Sequence, residues 1–138
     1  MPIAMPATLR AVLLDKAYGH VITQGSNGAP QVTMVWMDVD GNQALFNTAD
    51  GRVKVNNLRR DPRIQVSVQD RHHPQAYALL QGIATLSHEG AEAHIDAMAQ
   101  RFLGLDTYPW RTPGERRILV RIDVEKISGF TPQMQAWA

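Results

Sequence analysis

The chain has 138 residues, of which 44% are hydrophobic and 20% are charged, and its net charge is +1 at neutral pH. This length suits one domain over residues 1–138, and the near-neutral charge argues against a protein that binds nucleic acid through a basic surface. The absence of cysteine excludes disulfides, thiolate metal sites and a cysteine nucleophile.

Apolar runs in the sequence are far shorter than the roughly 20 residues that a membrane helix needs. The first residues, Met1–Pro6, also lack the basic-then-apolar layout of a signal peptide. We therefore expect a soluble, cytoplasmic protein with neither a membrane nor a nucleic acid as its partner.

The first third of the chain predicts a short helix followed by a three-stranded meander. Thr8 can cap a helix over Leu9–Lys16, in which Leu9, Val12 and Leu13 share one apolar face. Three strands joined by two tight turns follow, with strands at His20–Gln24, Gln31–Met37 and Gln43–Thr48 and turns at Ser26-Asn27-Gly28 and Asp40-Gly41.

A basic helical segment comes next. Five of the 14 Lys and Arg residues fall within Asp50–Arg63. Arg52 and Lys54 stand at the start of this helix, where unpaired N–H groups and the helix dipole favour an anion over a cation. Their position predicts a bound anion, most simply a phosphate. The alternative is a solvated basic surface, which is our interpretation of the other three cations: Arg59, Arg60 and Arg63.

The second half of the chain predicts three strands and a longer helix. Ile64–Gln69 alternates as a half-buried strand does, and the long strand Ala76–Ser87 contains Gly82, which can mark a bulge or a close backbone approach. Glu89-Gly90 opens a helix that extends to about Leu103. The buried face of this helix is predicted to consist of Ala91, Ile95, Met98 and Phe102. An irregular loop over Gly104–Gly114 follows, and the last strand is predicted over Arg117–Ile127.

Six strands with mostly short turns predict an antiparallel sheet that must curl or close to protect its edges. Two or three short helices are too few for a doubly wound parallel sheet. We therefore predict a mainly β fold, a small six-stranded barrel with helices at its ends.

Signatures of catalysis are largely missing. The sequence has no P-loop, Rossmann, Gly-x-Ser-x-Gly or His-Glu-x-x-His motif, and its five histidines lack metal-ligand spacing. We predict no metal site, leave the catalytic residue unassigned, and interpret His94 as structural.

Polar side chains near the basic pair could complete an anion site or contact a polar heterocycle. The hydroxyl and amide candidates are Thr33, Thr48, Gln31, Asn47 and Asn57. Trp36 could stack on a ring, although a core position is the commoner role for a tryptophan in a strand.

Several short motifs occur in a recognisable order: Gly28-x-Pro30-Gln31-Val32-x-x-Val35-Trp36, Phe46-Asn47-Thr48, Gly51-Arg52-x-Lys54-x-x-Asn57-Leu58-Arg59-Arg60-Asp61-Pro62-Arg63, Pro113-Gly114-Glu115-Arg116-Arg117 and Ile127-Ser128-Gly129-Phe130. Over about residues 8 to 130 this order resembles the pyridoxamine-5'-phosphate-oxidase-like flavin-binding split-barrel family. Within that family it most resembles the small members assigned to the deazaflavin coenzyme F420.

The resemblance implies a six-stranded antiparallel Greek-key split barrel that forms a homodimer, with cofactor sites at the subunit interface. Arg52 and Lys54 would hold the phosphate of a flavin or deazaflavin, with Thr48 and Asn57 beside it. The other implied cofactor-binding residues are Gln31, Val32, Thr33 and Trp36 on the second strand, Asn47 on the third, and Tyr77 of the partner subunit. The loop around Tyr108–Trp110 could also close the site.

Two departures from the pyridoxamine-phosphate oxidases of this family bear on the activity expected of the chain. Those enzymes carry basic residues at both ends of the second strand and an adjacent Arg-Lys pair. Here Gln31 and Trp36 occupy the strand ends, and Val53 separates the pair. The resemblance therefore favours an oxidoreductase that transfers hydride from F420 to a small organic acceptor, with Tyr77 and Tyr108 as candidate proton donors. FMN in the same fold and a non-catalytic carrier of a cofactor or tetrapyrrole stay open as alternatives.

Overall fold

The computed structural model describes all 138 residues and contains six strands and three helices. The strands are β1 Tyr18–Gln24, β2 Pro30–Asp40, β3 Gln43–Ala49, β4 Arg63–Gln69, β5 Tyr77–Ser87 and β6 Arg117–Phe130. The helices are α1 Ala7–Leu14, α2 Val53–Arg60 and α3 Ala91–Leu103. The strands form a closed antiparallel barrel in the order β1-β2-β3-β6-β5-β4, which confirms the predicted mainly β fold. None of the helices has the length and apolar character needed to cross a membrane.

Some predicted boundaries differ from the observed ones. Helix α1 begins at Ala7, directly after Pro6, and has no side-chain cap, so the prediction that Thr8 caps it was wrong. A proline is well suited to a helix start because its φ is already fixed near the helical value. Strand β2 extends to Asp40 because Val39 continues the buried alternation of Val35 and Met37.

The barrel interior is filled by one apolar cluster of 22 buried residues. Helix α1 contributes Leu9 and Leu13 to this cluster, and α2 contributes Val55 and Leu58. Both short helices therefore pack against the barrel core, as the sequence predicted. Helix α3 lies outside the barrel wall, where Ala91 packs with the outward-facing Leu45 of β3 and Leu119 of β6.

The wall of the barrel opens between β2 and β3. These two strands pair over only four positions, from Met37 with Phe46 to Asp40 with Gln43. Before Met37, β2 pairs with β1 alone. Strand β3 ends in α2, which leads to β4, and β4 is not a neighbour of β3 in the barrel. The chain must therefore turn away across the barrel end, and it leaves a gap beside the start of α2.

Gly82 marks the predicted irregularity in β5. Gln81 pairs with Lys126 and Gly82 pairs with Val124, so Glu125 is an extra residue in β6. A Cβ at position 82 would collide with the backbone carbonyl of Asp123. Both a bulge and a close backbone approach are present, as the glycine indicated.

We predict that Gly82→Ala destabilises the protein, because the added methyl group must displace the Asp123 carbonyl. Forcing an extra group into a tightly packed site costs about 1–3 kcal/mol. Urea unfolding measures the change, and Thr85→Val on the exposed side of the same strand is the control, expected within about 0.5 kcal/mol of the native protein. Equal stability of the Gly82→Ala variant and the native protein would contradict the close approach.

Candidate functional site

The gap between β2 and β3 forms a cavity of about 210 Å³. Its walls come from β2, β3, the start of α2, α3 and the segment that leads into β6. The lining residues are Met34, Val35, Trp36, Asn47, Thr48, Arg52, Lys54, Ile95, Met98, Tyr108 and Arg117. The cavity has a cationic side and an aromatic side.

Lys54 is the most unusual residue of the cationic side. It is only 7% exposed, and it makes no hydrogen bond or ion pair. Burial lowers the pKa of its ammonium group, and the nearby positive charges of Arg52 and Arg117 lower it further. A buried cation without a partner is costly, because the lost hydration is not replaced. The site therefore provides an ammonium group that lacks an acceptor.

Two further cations share a single carboxylate. Glu115 Oε1 lies 3.1 Å from Nη1 of Arg117 and 3.6 Å from Nη2 of Arg52. The side chain of Arg117 is 4% exposed, and that of Glu115 is 7% exposed. Together with Lys54, the cationic side therefore has three positive charges and one negative charge.

Thr48 adds a second unsatisfied group to the cationic side. Its hydroxyl oxygen is buried and has no hydrogen-bond partner. Helix α2, whose N-cap is Arg52, also begins there with neither a side-chain cap nor an acidic residue in its first turn. An ammonium group, a hydroxyl and an uncapped helix start are the groups that bind a phosphate. The geometry therefore suits an anion.

The aromatic side is built around Trp36. Its ring stacks on Phe102 at 4.8 Å and 9°, and Tyr108 and Trp110 approach it at 6.0 Å and 6.4 Å. Trp36 is half-buried, so it is neither a core residue nor fully exposed. Phe102, predicted on the buried face of α3, is also half-buried because it contacts this aromatic group instead of the barrel core. The arrangement suits a flat ring system.

The loop that carries Tyr108 is fastened to α3. Asp96 accepts hydrogen bonds from the Tyr108 amide at 2.9 Å and from Arg111 Nη1 at 2.7 Å. The hydrogen bond from Arg111, with help from the Tyr108 amide, lowers the pKa of Asp96. The ring of Tyr108 then lies under the Arg117 guanidinium, 5.0 Å from its central carbon. The loop thereby connects the aromatic side to the cationic side.

Five of the ten residues predicted to bind the cofactor line this one cavity: Trp36, Asn47, Thr48, Arg52 and Lys54. Tyr108, from the loop expected to close the site, lines it as well. Three others on β2 do not line it. Val32 is 56% exposed on the outer face of β2, and Gln31 Oε1 accepts a hydrogen bond from Thr23. Thr33 is half-buried, and its hydroxyl has no partner.

Asn57 and Tyr77 also lie outside the cavity. Asn57 is 4% exposed, and its amide donates to Thr23 and accepts from Arg60, so it ties α2 to β1. Tyr77 begins β5, at the end of that strand remote from Arg117, and packs against Phe130. Within one protomer Tyr77 is therefore far from Lys54, and its expected role in the site depends on a second copy.

The three cations that the sequence assigned to the surface are paired with carboxylates or with a backbone carbonyl. Arg59 pairs with Asp50 at 2.9 Å, and Arg63 pairs with Asp61 at 2.7 Å. Arg60 donates to the backbone carbonyl of Gln24 at 2.7 Å. None of the three lines the cavity.

Sequence reasoning assigned no role to Arg117 or Met34. Arg117 closes a motif used for the resemblance, but nothing local distinguishes it from the adjacent Arg116. Only the pairing of β6 with β3, which places Arg117 opposite Ala49, brings it to the gap. Ile95 and Met98 were predicted on the buried face of α3, and the structure shows that part of this face borders the cavity.

Comparison with known proteins agrees with the fold. The family model for pyridoxamine 5'-phosphate oxidase matches residues 5–130. A solved structure described as F420 reductase has 24% sequence identity and a TM-score of 0.74, and the match covers 86% of this chain and 94% of that chain. A conserved hypothetical protein from Mycobacterium tuberculosis has 19% identity and a TM-score of 0.72, with coverage of 96% and 88%.

A pyridoxamine 5'-phosphate oxidase-related, FMN binding protein from Nostoc punctiforme is also similar. It has 14% identity and a TM-score of 0.62, with coverage of 91% of this chain and 80% of that chain. At these identities the solved structures support the fold, and the family model identifies the lineage. The chain belongs to the pyridoxamine 5'-phosphate oxidase family of split barrels.

Proposed function

We propose that this protein is an oxidoreductase that binds a phosphate-bearing flavin-type cofactor and transfers hydride to a small organic acceptor. F420 is the first candidate for this cofactor. The observation that supports this proposal most is a pair of donors without a protein partner near the junction of β3 and α2. They are the ammonium group of Lys54, a residue that is 7% exposed, and the buried hydroxyl of Thr48. The family and the similarity to a protein described as F420 reductase support this choice.

The two sides of the cavity suit the two parts of such a cofactor. Arg52, Lys54 and Thr48 would hold the phosphate, and Trp36 and Tyr108 offer apolar surface to the ring system. F420 or FMN, when bound, supplies the hydride chemistry itself. The chain's own residues would orient the ring, neutralise the phosphate and limit the access of water.

A proton donor can be proposed more narrowly than from the sequence. Of the two tyrosines considered, Tyr108 lines the cavity and Tyr77 does not. Histidine, aspartate and glutamate do not line the cavity, and the carboxylate of the nearby Glu115 contacts Arg117 and Arg52. Tyr108 is therefore the candidate donor that one protomer supplies, and water is the alternative.

FMN is the second candidate, and the charge of the site favours it. Arg52, Lys54 and Arg117 together with Glu115 give an excess of two positive charges. A phosphate monoester such as that of FMN carries about −1.5 to −2 charges at neutral pH, which balances this excess. A phosphate diester such as that of F420 carries one negative charge and would leave part of the excess to be balanced by other anionic groups of the ligand.

We also propose that the working form is a homodimer. The cavity of about 210 Å³ is smaller than the roughly 300–1,000 Å³ of typical small-molecule sites, so a flavin-sized ligand needs additional walls. Tyr18, Val32 and Met34 lie on the outer face of β1 and β2, around the exposed His20 that pairs with Met34, and are 47%, 56% and 59% exposed. A second copy packed on this apolar face would cover these side chains beside the cavity.

Parallel titration with FMN and F420, followed by absorption and fluorescence, tests the proposal. Saturable binding of one of them at micromolar concentration is the expected result. Binding of neither would contradict the proposed function. If reduced cofactor binds tightly but no acceptor in a panel of unsaturated ketones, lactones and quinones is reduced, the result would favour a non-catalytic carrier over an enzyme.

We predict that Lys54→Met weakens cofactor binding by roughly ten- to a hundredfold, because one charge-assisted phosphate contact is worth about 1.5–3 kcal/mol. The affinity is measured by fluorescence titration. Lys16→Met, which removes an exposed lysine outside the cavity, is the matched control and should leave the affinity unchanged. Equal affinities of Lys54→Met and the native protein would place the phosphate elsewhere.

The same variant should make the ligand-free protein more stable. The folded state lowers the pKa of Lys54, so its proton is held less tightly when the chain is folded. The protonated group therefore destabilises the fold at neutral pH, and this cost declines as the pH rises toward the ordinary lysine value of 10.5. In thermal unfolding, the melting temperature of Lys54→Met should be higher than that of the native protein at pH 7, and the difference should become smaller at high pH. A lower melting temperature for the variant would contradict the claim that Lys54 lacks a partner.

We predict that Met34→Lys converts the dimer to a monomer, because a charge would be buried at the centre of the exposed apolar face. Sedimentation velocity measures the mass. Leu14→Lys, on α1 and 44% exposed in the native chain, introduces the same charge away from this face and should leave the mass unchanged. A monomeric native protein would refute the proposed assembly.

A further inference from the structure

Arg117 is held at the cavity by two fixed contacts. Its Nε donates to Asn47 Oδ1 at 2.9 Å, and its Nη1 donates to Glu115 Oε1 at 3.1 Å. Its Nη2 makes no protein hydrogen bond, so both N–H groups of that nitrogen are available to a ligand. The position of Asn47 and Glu115 therefore decides where those donors lie.

The amide of Asn47 can take only one orientation. Its Nδ2 donates to the Ala91 carbonyl at 2.9 Å and lies 3.1 Å from His94 Nδ1, while its Oδ1 faces Arg117 Nε. An arginine N–H can only donate, and a backbone carbonyl can only accept. Turning the amide round would place donor against donor at Arg117 and acceptor against acceptor at Ala91.

This fixed amide in turn decides the tautomer of His94. Because Nδ2 of Asn47 donates, Nδ1 of His94 must accept, and the ring proton must lie on Nε2. That nitrogen is 2.9 Å from Asp38 Oδ2, whose partner oxygen accepts from Arg101 at 2.9 Å. Burial by itself raises the pKa of Asp38, but hydrogen bonds from His94, Arg101 and the Val39 amide together lower it to about 2. The acceptor is therefore ionised at neutral pH.

We propose that Asp38, His94 and Asn47 form a relay that positions Arg117 in the cavity, with His94 neutral and protonated at Nε2. Asn47 is the positioning residue that contacts Arg117, and His94 and Asp38 act through it. The inference rests on the proposed function in taking the cavity as the cofactor site. It adds a route by which α3 and β2 control the placement of a cation beside the ligand.

The relay makes the placement of Arg117 sensitive to acid. A second proton on His94 would set Nδ1–H against the Asn47 NH2 group, and only a turned amide, which breaks the bond to Arg117, could accept it. The charged groups that face His94 are Asp38 from β2 and Arg101 from α3. Three more line the open groove beside it: Asp40, Glu89 and Arg121. Acidification should therefore loosen Arg117.

Nuclear magnetic resonance of the ligand-free protein tests the relay without any cofactor. Long-range ¹H–¹⁵N spectra should show His94 as the Nε2–H tautomer at neutral pH, and Arg117 Nε–H, assigned with Arg117→Lys, as a slowly exchanging signal. Acidification that adds a second proton to His94, which the same spectra report, should shift and broaden that signal. A His94 Nδ1–H tautomer, or an Arg117 signal indifferent to Asn47→Ala, would overturn the proposal.

A pair of His94 variants separates positioning from general support of the fold. His94→Asn keeps an acceptor near the Nδ1 position and cannot titrate, so the Arg117 signal should stay sharp and lose its acid response. His94→Ala removes the acceptor, so the signal should broaden at neutral pH. Identical spectra for the two variants, with comparable melting temperatures, would contradict a role through Nδ1.

A double-mutant cycle connects the relay to binding. Asn47→Ala should weaken the binding of FMN or F420 about three- to tenfold in the native background and leave it nearly unchanged in an Arg117→Met background. An equal loss in both backgrounds would refute action through Arg117. Failure of the native protein to bind either cofactor would contradict the proposed function. The nuclear magnetic resonance spectra of the ligand-free protein would still test the relay.

Discussion

The early end of the pairing between β2 and β3 is the constraint on which the rest of the molecule depends. Four pairs join these strands, and beyond Met37 they separate. Strand β3 continues to pair with β6 as far as Ala49, so its last residues keep a fixed position although one side of the strand is open. The opening is thus framed by ordered backbone and does not depend on a mobile loop. Thr48 lies on this frame, and α2 begins a short turn later at Val53.

The opening concentrates positive charge. Two buried cations, Lys54 and Arg117, share this site with the half-exposed Arg52 and one buried carboxylate, and Lys54 has no acceptor. By contrast, the exposed cations Arg59 and Arg63 have carboxylate partners. Such an imbalance is often found at functional sites, because a bound anion would offset the repulsion among the cations. The aromatic side opposite is attached through Tyr108 and Asp96, so a ring and a phosphate could be held at a fixed separation.

Two polar networks lie near the opening. One positions helix α2, and the other leads to Arg117. Thr23, Gln31, Asn57 and Arg60 join α2 to β1 on the side away from the cavity. This network sets the position of the helix that carries Lys54. Asp38, His94 and Asn47 lead instead from β2 and α3 to Arg117. Residues of similar chemistry on neighbouring strands therefore serve either the frame or the site, according to the side of the strand on which they lie.

The sequence by itself determined the features that depend on local order. Alternating strands, tight turns, the bulge at Gly82 and the basic pair at a helix start all follow from residues near one another in the chain, and they led to the barrel and to Arg52, Lys54 and Thr48. Only the tertiary structure decided which distant residues meet at the opening. Arg117 reaches Asn47 across 70 positions and His94 reaches Asp38 across 56, through pairings that no local pattern encodes. Asn57, one turn after Lys54, has the same polar chemistry as Asn47, but the helix turns it toward β1. A side chain's type is written in the sequence, whereas its partners are set by strand register and helix packing.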